Sequence, residues 1–142
     1  MNTQKAPQNS PEYITVTLKL KLATLWASFM FLYAYVDIFG LYMPGKLEDM
    51  LAGKVFTFDV SQGFLLITMI LVAIPTFMIF LSVALPNKVN RWVNPIIAVV
   101  FIPYMLFNLV GEAWPHMYFA AALEVAHLIL IIWYARKLPS SL

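Results

Sequence analysis

The sequence predicts an all-α integral membrane protein, built as a bundle of four transmembrane helices. Of its 142 residues, 62% are hydrophobic and 11% are charged, whereas ordinary globular domains carry about 25% charged residues. Apart from three acids, the charged residues fall in short segments that separate four long apolar spans. Each span has about 20 residues, enough to cross a hydrocarbon core of roughly 30 Å as a helix. We expect one membrane domain over 18–138, preceded by a flexible cytosolic tail over 1–17.

The four helices are predicted at about 20–42, 63–85, 92–111 and 114–136. The first ends where Pro44-Gly45 breaks the apolar run. The outer loop then contains LEDMLAG, a short amphipathic helix stopped by Gly53, and an extended VFTFDV. Ser61 is the predicted N-cap of the second helix, and Pro115 starts the fourth.

Basic residues predict the orientation of the bundle. Seven of the nine lie in the N-terminal segment, in the 88–91 turn and at the C-terminal end. By the positive-inside rule, both termini face the cytoplasm and the loop over 43–62 faces outward. Trp92 and Trp133 fit the inner aromatic belt. The chain has no cysteine, so it has no disulfide and no thiolate chemistry.

Polar residues form stripes on three of the helices when residues are placed about 100° apart. On the first helix, one face carries Trp26, Met30, Tyr33 and Asp37. On the third helix, one face carries Asn94, Phe101, Tyr104, Asn108 and Glu112. On the fourth helix, one face carries His116, Glu124 and His127. Such stripes predict a common polar interior. Asn and Tyr in membrane bundles also serve as interhelical hydrogen-bonding groups, and this alternative stays open for Asn94, Tyr104 and Asn108.

Glu124 and His127 are the deepest polar residues of this interior. An ionised carboxylate at bilayer depth costs roughly 2.5 to 3.5 kcal/mol on insertion scales, so Glu124 must be neutral, paired or bound to a ligand. At a rise of 1.5 Å per residue, Glu124 lies about 15 Å below the outer end of its helix and His127 about 20 Å. We therefore expect a polar funnel that opens outward and closes near His127.

This pattern favours an outward-facing acidic pocket for a small molecule, a lipid-like ligand or a cation. The predicted ligand-binding residues are Tyr33, Asp37, Tyr104, Asn108, Glu112, His116, Glu124 and His127, with Trp26 and Phe101 as further aromatic walls. The main alternative is an accessory subunit whose polar faces dock against a larger membrane complex or a second copy. The lipid bilayer is the partner expected in every case. A hydrophobic or cationic small molecule is expected for the pocket, and a second copy or a larger membrane complex for the subunit; no nucleic-acid signature is present.

Two further chemistries remain open. Glu124 and His127 have the i, i+3 spacing with which di-iron bundles present a carboxylate and an imidazole to one metal, although the chain has only one such pair. Asp37, Glu112, Glu124 and His127 could instead handle protons or cations in series, but no acid continues the series inward.

A catalytic role for the cavity centred on Asp37, Glu112, Glu124 and His127 is the alternative to a binding role, although no residue set in it indicates a particular reaction. Ser28, Ser61 and Ser82 lie off the polar stripes, which argues against hydrolytic Ser-His-Asp chemistry. No phosphate-binding loop or haem-attachment motif is present, so the sequence identifies neither an enzyme nor a cofactor.

The segments YAYVDIFGLYMPGKLEDMLAG and LPNKVNRWVN resemble recurring segments of small, uncharacterised four-span bacterial membrane proteins that are broadly DoxX-like in architecture. The resemblance runs from about residue 18 over most of the chain. It implies a multi-pass protein of the bacterial cytoplasmic (inner) membrane, and it marks Asp37, Asn90, Arg91 and Trp92 as motif positions. It implies no particular function.

Overall fold

The computed structural model describes residues 10–111 and 113–140. Its elements are α1 (Pro11–Gly40), α2 (Lys46–Leu51), β1 (Lys54–Val55), β2 (Phe58–Asp59), α3 (Gln62–Ala84), α4 (Asn87–Phe107) and α5 (Pro115–Arg136). Within this described part of the chain, α1, α3, α4 and α5 are long and apolar enough to cross a membrane. The predicted fold class, a bundle of four transmembrane helices, is confirmed.

The first helix begins at Pro11, well before the predicted start near residue 20. Ser10 caps it, because its side-chain oxygen accepts a hydrogen bond from the backbone N–H of Tyr13 at 3.3 Å. Proline is a normal first residue of a helix, so Pro11 starts α1 instead of ending a tail. Residues 11–17, part of the expected flexible tail over 1–17, thus belong to α1, while residues 1–9 lie outside the described part. With 30 residues, α1 is about 45 Å long and extends beyond the hydrocarbon core.

The bounds of α4 also differ from the prediction of 92–111. The helix begins at Asn87, after Pro86 in an extended N-cap conformation, so the expected charged turn over 88–91 is its first helical turn. It ends at Phe107, and Gly111 then takes a positive φ of 99° that reverses the chain before α5. The fixed φ of proline suits a helix start, which explains the earlier beginning.

The connection between α1 and α3 contains the predicted short helix, here α2, followed by a small hairpin. Gly53 has a positive φ of 75° and ends the helical segment. The hairpin pairs Lys54 with Asp59 and Val55 with Phe58 in antiparallel register. No residue of α2 is buried, so this segment lies on the surface of the bundle.

The central pair of the bundle is α1 and α5. Helix α1 packs against α3 and α5, and α5 packs against α1 and α4, whereas the consecutive helices α3 and α4 touch only lightly. The fully buried side chains are contributed mainly by α1, α4 and α5, and they include Leu22, Trp26, Phe29, Ala98, Met105, Leu128 and Ile131. Helix α3 buries only Pro75, Met78 and Ser82, so most of its surface faces outward.

Candidate functional site

A pair of acids from α1 and α5 forms the centre of the candidate site. Glu124 is only 3% exposed, and its Oε1 atom has no hydrogen-bonding partner among the described residues. Asp37 is an exposed residue near the C-terminal end of α1, and its carboxyl group lies within electrostatic range of Glu124. A buried polar atom without a partner costs free energy in the folded state. The pair therefore offers a ligand that approaches along α1 one accessible carboxyl group, from Asp37, and one buried carboxyl group, from Glu124.

Two tyrosine hydroxyl groups accompany the acids. The hydroxyl oxygens of Tyr33, on α1, and Tyr104, on α4, are 3.3 Å apart. Tyr33 lies one helical turn before Asp37 and interacts electrostatically with both Asp37 and Glu124. The tyrosine pair thus connects the acidic pair with α4.

A narrow crevice between α1, α3 and α4 continues from the tyrosines. It is lined by Phe29, Tyr33, Leu71, Val72, Pro75, Phe101, Tyr104 and Met105. The rings of Phe29 and Phe101 meet edge to face at 6.3 Å between centroids, and Phe101 meets Tyr104 at 5.7 Å. Of the expected aromatic walls, Tyr33, Phe101 and Tyr104 line the crevice and Trp26 does not. Instead of an open funnel, the crevice is too narrow for a water molecule.

His127 belongs to a different set of contacts from Glu124. Its Nδ1 atom lies 2.8 Å from the backbone oxygen of Leu123, so Nδ1 carries the hydrogen and donates it. Its Nε2 atom, 3.0 Å from the hydroxyl oxygen of Ser28, then accepts from that hydroxyl. Both ring nitrogens are engaged, and a metal bound with Glu124 would have to displace one of these hydrogen bonds. Among the described residues, no group of three or more His, Asp and Glu side chains is placed to hold a metal ion.

Ser28 and Ser82 lie off the polar stripes, yet each forms a hydrogen bond to a polar residue of a neighbouring helix, Ser82 to Asn94. Ser28 bonds to His127, although nine residues at about 100° each place it on the opposite side of α1 from Asp37. The polar side chains of α5 therefore point in two directions: Glu124 faces the interior beside Asp37, and His127 faces the interface between α1 and α5. The angle between Glu124 and His127 on the helix, about 60°, was the signal for this division. The Ser28–His127 pair still lacks the carboxylate that orients a catalytic histidine, because a backbone oxygen takes that place.

Asn94 is the centre of a second polar cluster toward the start of α4. Its side-chain oxygen accepts hydrogen bonds from the indole N–H of Trp26 at 2.7 Å and from the Ser82 hydroxyl at 3.1 Å. Its amide nitrogen donates to the backbone and side-chain oxygens of Asn90, and Asn90 donates to the backbone oxygens of Ser82 and Leu85. These bonds satisfy the side chains and join α1, α3 and α4. Trp26 and Asn94 thus hold the bundle together, as the hydrogen-bonding alternative for Asn94 predicted.

The remaining candidates are placed as follows. His116 is half-buried, its ring meets Trp114 edge to face at 6.3 Å, and its Nε2 atom has no partner among the described residues. Asn108 is half-buried at the C-cap of α4. Glu112 lies outside the described residues. The structure therefore brings together Tyr33, Asp37, Tyr104 and Glu124, which we call the acidic site.

Comparison with known proteins gives one match. A family of unknown function (DUF6326) matches residues 15–139, which include the acidic site, α3, α4, α5 and all of α1 after residue 14. This match confirms the predicted resemblance to an uncharacterised family, without any more specific assignment. The chain matches no curated protein and no solved structure.

Proposed function

We propose that this chain, which belongs to the family of unknown function DUF6326, binds a hydrophobic organic cation at its acidic site. Asp37 and Glu124 take the positive charge, and the aromatic crevice beside Tyr33 and Tyr104 takes the apolar part. The protein then acts as a membrane receptor or carrier of such a cation, with no covalent chemistry.

The observation that supports this proposal is the unpartnered Oε1 atom of Glu124 in a side chain that is 3% exposed. An ammonium group supplies both the opposite charge and the N–H donors that this atom lacks, and charge-assisted hydrogen bonds are the stronger ones. Another acid, Asp37, lies within electrostatic range of Glu124, so a single cation relieves the repulsion of both.

An organic cation fits better than a metal ion. The ring of Tyr33 is shared by the acidic site and the crevice, so a charged head group and an apolar body can be held side by side. Aromatic faces attract organic cations, whereas metal ions favour several oxygen or nitrogen ligands. The described residues offer only two carboxylates at this point.

Entry of the ligand takes place between α3 and α4. The crevice has no room for water, so it must widen on binding, and these two helices are the ones that touch lightly. With both termini in the cytoplasm, as the positive-inside rule indicates, Asp37 lies toward the outer side and the site opens outward. The cytoplasmic membrane of a bacterium is part of the same proposal and is supported by the resemblance of two segments to DoxX-like proteins.

The proposal is tested with a pair of probes that differ in charge, 4-phenylbutylamine and 4-phenylbutanol, added to the purified protein in detergent. We expect thermal stabilisation by the amine and little by the alcohol. The variants Glu124→Gln and Asp37→Asn should each weaken amine binding by roughly tenfold or more, because a hydrogen bond to a charged group contributes about 1.5 to 3 kcal/mol. Glu48→Gln, which changes an exposed acid of α2, is the matched control and should bind as the parent does.

Two outcomes would exclude the proposal. Equal stabilisation by amine and alcohol would show that charge is not recognised. Equal loss of binding in Glu48→Gln and Glu124→Gln would show that the amine responds to surface charge alone.

A second function, docking within a complex or a homo-oligomer, is favoured by one observation on α3. This helix buries only Pro75, Met78 and Ser82, and its outward face is apolar along its whole length. Lipid covers such a face as well as a partner does. The mass of the particle extracted in a mild detergent separates the two, because a docked subunit migrates with its partner and a ligand-binding protein migrates alone.

A further inference from the structure

A groove of about 360 Å³ runs along the exposed surface of α4 and shares no lining residue with the acidic site. Arg91, near the start of α4, and Arg136, at the end of α5, form one end of it. Trp92, Ile96, Val99 and Val100 belong to its apolar wall. No acidic residue is among the described residues that line it.

The two guanidinium groups have most of their donors available. Arg91 uses one N–H group to donate to the backbone oxygen of Leu138 at 3.0 Å. Arg136 is exposed, and neither arginine forms an ion pair with a described residue. Arginine presents five N–H donors in a planar fork that matches the oxygens of a phosphate group. The charged end of the groove is therefore a site for an anion.

The apolar wall of the groove runs along the axis of α4, in the direction that a lipid acyl chain takes in a bilayer. Trp92 is 65% exposed and Val100 is 61% exposed, so the wall faces the bilayer and not the bundle. From Arg91 to Val100 the groove extends about 13 Å along the helix axis, which crosses from the interface into the hydrocarbon core. A soluble anion would leave this wall unused, while an acyl chain covers it.

We propose that this groove binds an anionic phospholipid. The phosphate group lies between Arg91 and Arg136, and the first part of an acyl chain lies along Ile96 and Val99. Basic pockets between helices at the membrane interface are typical of sites for anionic head groups. The groove lies on the side of α4 that faces lipid, so the site is independent of cation binding at the acidic site.

The proposal is tested by native mass spectrometry of the full chain in detergent, with phosphatidylglycerol and phosphatidylcholine that carry the same acyl chains. We expect the parent to retain phosphatidylglycerol in preference to phosphatidylcholine. Arg136→Gln is the cleaner variant, because Arg136 makes no hydrogen bond within the described residues that its loss would break. Retention of phosphatidylglycerol should fall roughly fivefold or more in this variant.

Lys88→Gln is the matched control. Lys88 is an exposed base in the first turn of α4 that does not line the groove, so this variant should retain phosphatidylglycerol as the parent does. Circular dichroism of both variants checks that the helices are intact. Equal retention in Arg136→Gln and the parent, or equal loss in Arg136→Gln and Lys88→Gln, would overturn the proposal.

A soluble head group tests the role of the apolar wall. Glycerol phosphate should give no thermal stabilisation at concentrations at which phosphatidylglycerol stabilises the protein. If glycerol phosphate protects as well as the lipid, the groove is a simple anion site and the phospholipid proposal is wrong.

Discussion

Two buried polar side chains of the bundle differ in whether their hydrogen-bonding atoms have partners. Asn94 makes four hydrogen bonds within the bundle, whereas the Oε1 atom of Glu124 has no partner among the described residues. A satisfied buried network stabilises and orders a fold, and an unsatisfied one destabilises it. We therefore expect opposite results when the two residues are made apolar.

The variant Glu124→Met should be more stable than the parent by about 1 to 2 kcal/mol, because it removes an unpaired polar group and keeps a side chain of similar size. The free energy of unfolding is measured by titration with a denaturing detergent. The same variant should no longer bind 4-phenylbutylamine. A loss of stability together with a loss of binding would mean that Glu124 has a partner in the bundle, and would remove the support for a binding role.

The variant Asn94→Leu should lose about 2 kcal/mol, because the indole N–H of Trp26 and the hydroxyl of Ser82 lose their acceptor. Thr76→Val is a suitable comparison: Thr76 bonds only to the backbone oxygen of Val72 in its own helix, and we expect less than about 0.5 kcal/mol. Equal losses in the two variants would show that the network adds nothing beyond local hydrogen bonding.

At the scale of elements, Lys19 connects α1 with the end of α3. Its Nζ atom donates to the backbone oxygens of Leu85 at 2.7 Å and Val83 at 3.4 Å. These are among the last carbonyl groups of α3, which have no partner within the helix, and a cation is favourable at this end of the helix dipole.

Lys19→Met should therefore destabilise the bundle by about 1 kcal/mol, measured by the same denaturing titration. Lys88→Met, at an exposed position of α4, removes an equal charge without such a contact and should change little. If both variants behave alike, the Lys19 contact does not support the packing of α3.

The four long helices could be predicted from the sequence, because a long apolar run identifies a membrane helix almost regardless of which helices it packs against. The short outer helix and its glycine stop were predictable for a local reason, the positive φ that Gly53 takes. The start of α1 was not, since Pro11 can begin a helix or interrupt one, and the cap at Ser10 decides between them. The sequence also could not predict which helices pack against each other, because the light contact between α3 and α4 depends on the arrangement of the whole bundle.

Part of the acidic site was predictable as well. Counting about 100° per residue placed Tyr33 and Asp37 on one face of α1, and the structure brings Tyr33 to Tyr104. The contact between Ser28 and His127 could not be found in this way. It depends on where α5 lies around α1, which the angles within a single helix do not determine.

At the scale of the whole molecule, orientation in the membrane is open to a direct test, because the chain contains no cysteine. A single cysteine at the exposed position Thr57, in the outer hairpin, should react in intact cells with a maleimide that cannot cross the membrane. A single cysteine at the exposed Ser140 should react only after permeabilisation. The reverse pattern would contradict cytoplasmic termini, and the acidic site would then open inward.

The cluster around Asn94 has a consequence for how the protein is made. The side chains that donate to the Asn94 oxygen, Trp26 of α1 and Ser82 of α3, both precede it in the chain. Since α1 and α3 are synthesised before α4, both donors leave the ribosome before Asn94 does. The span with the lowest mean hydropathy of the four, 1.3 for α4, thus enters the bilayer beside ready partners for its amide group. A chain with its last two helices placed first would lose this advantage and should insert less efficiently.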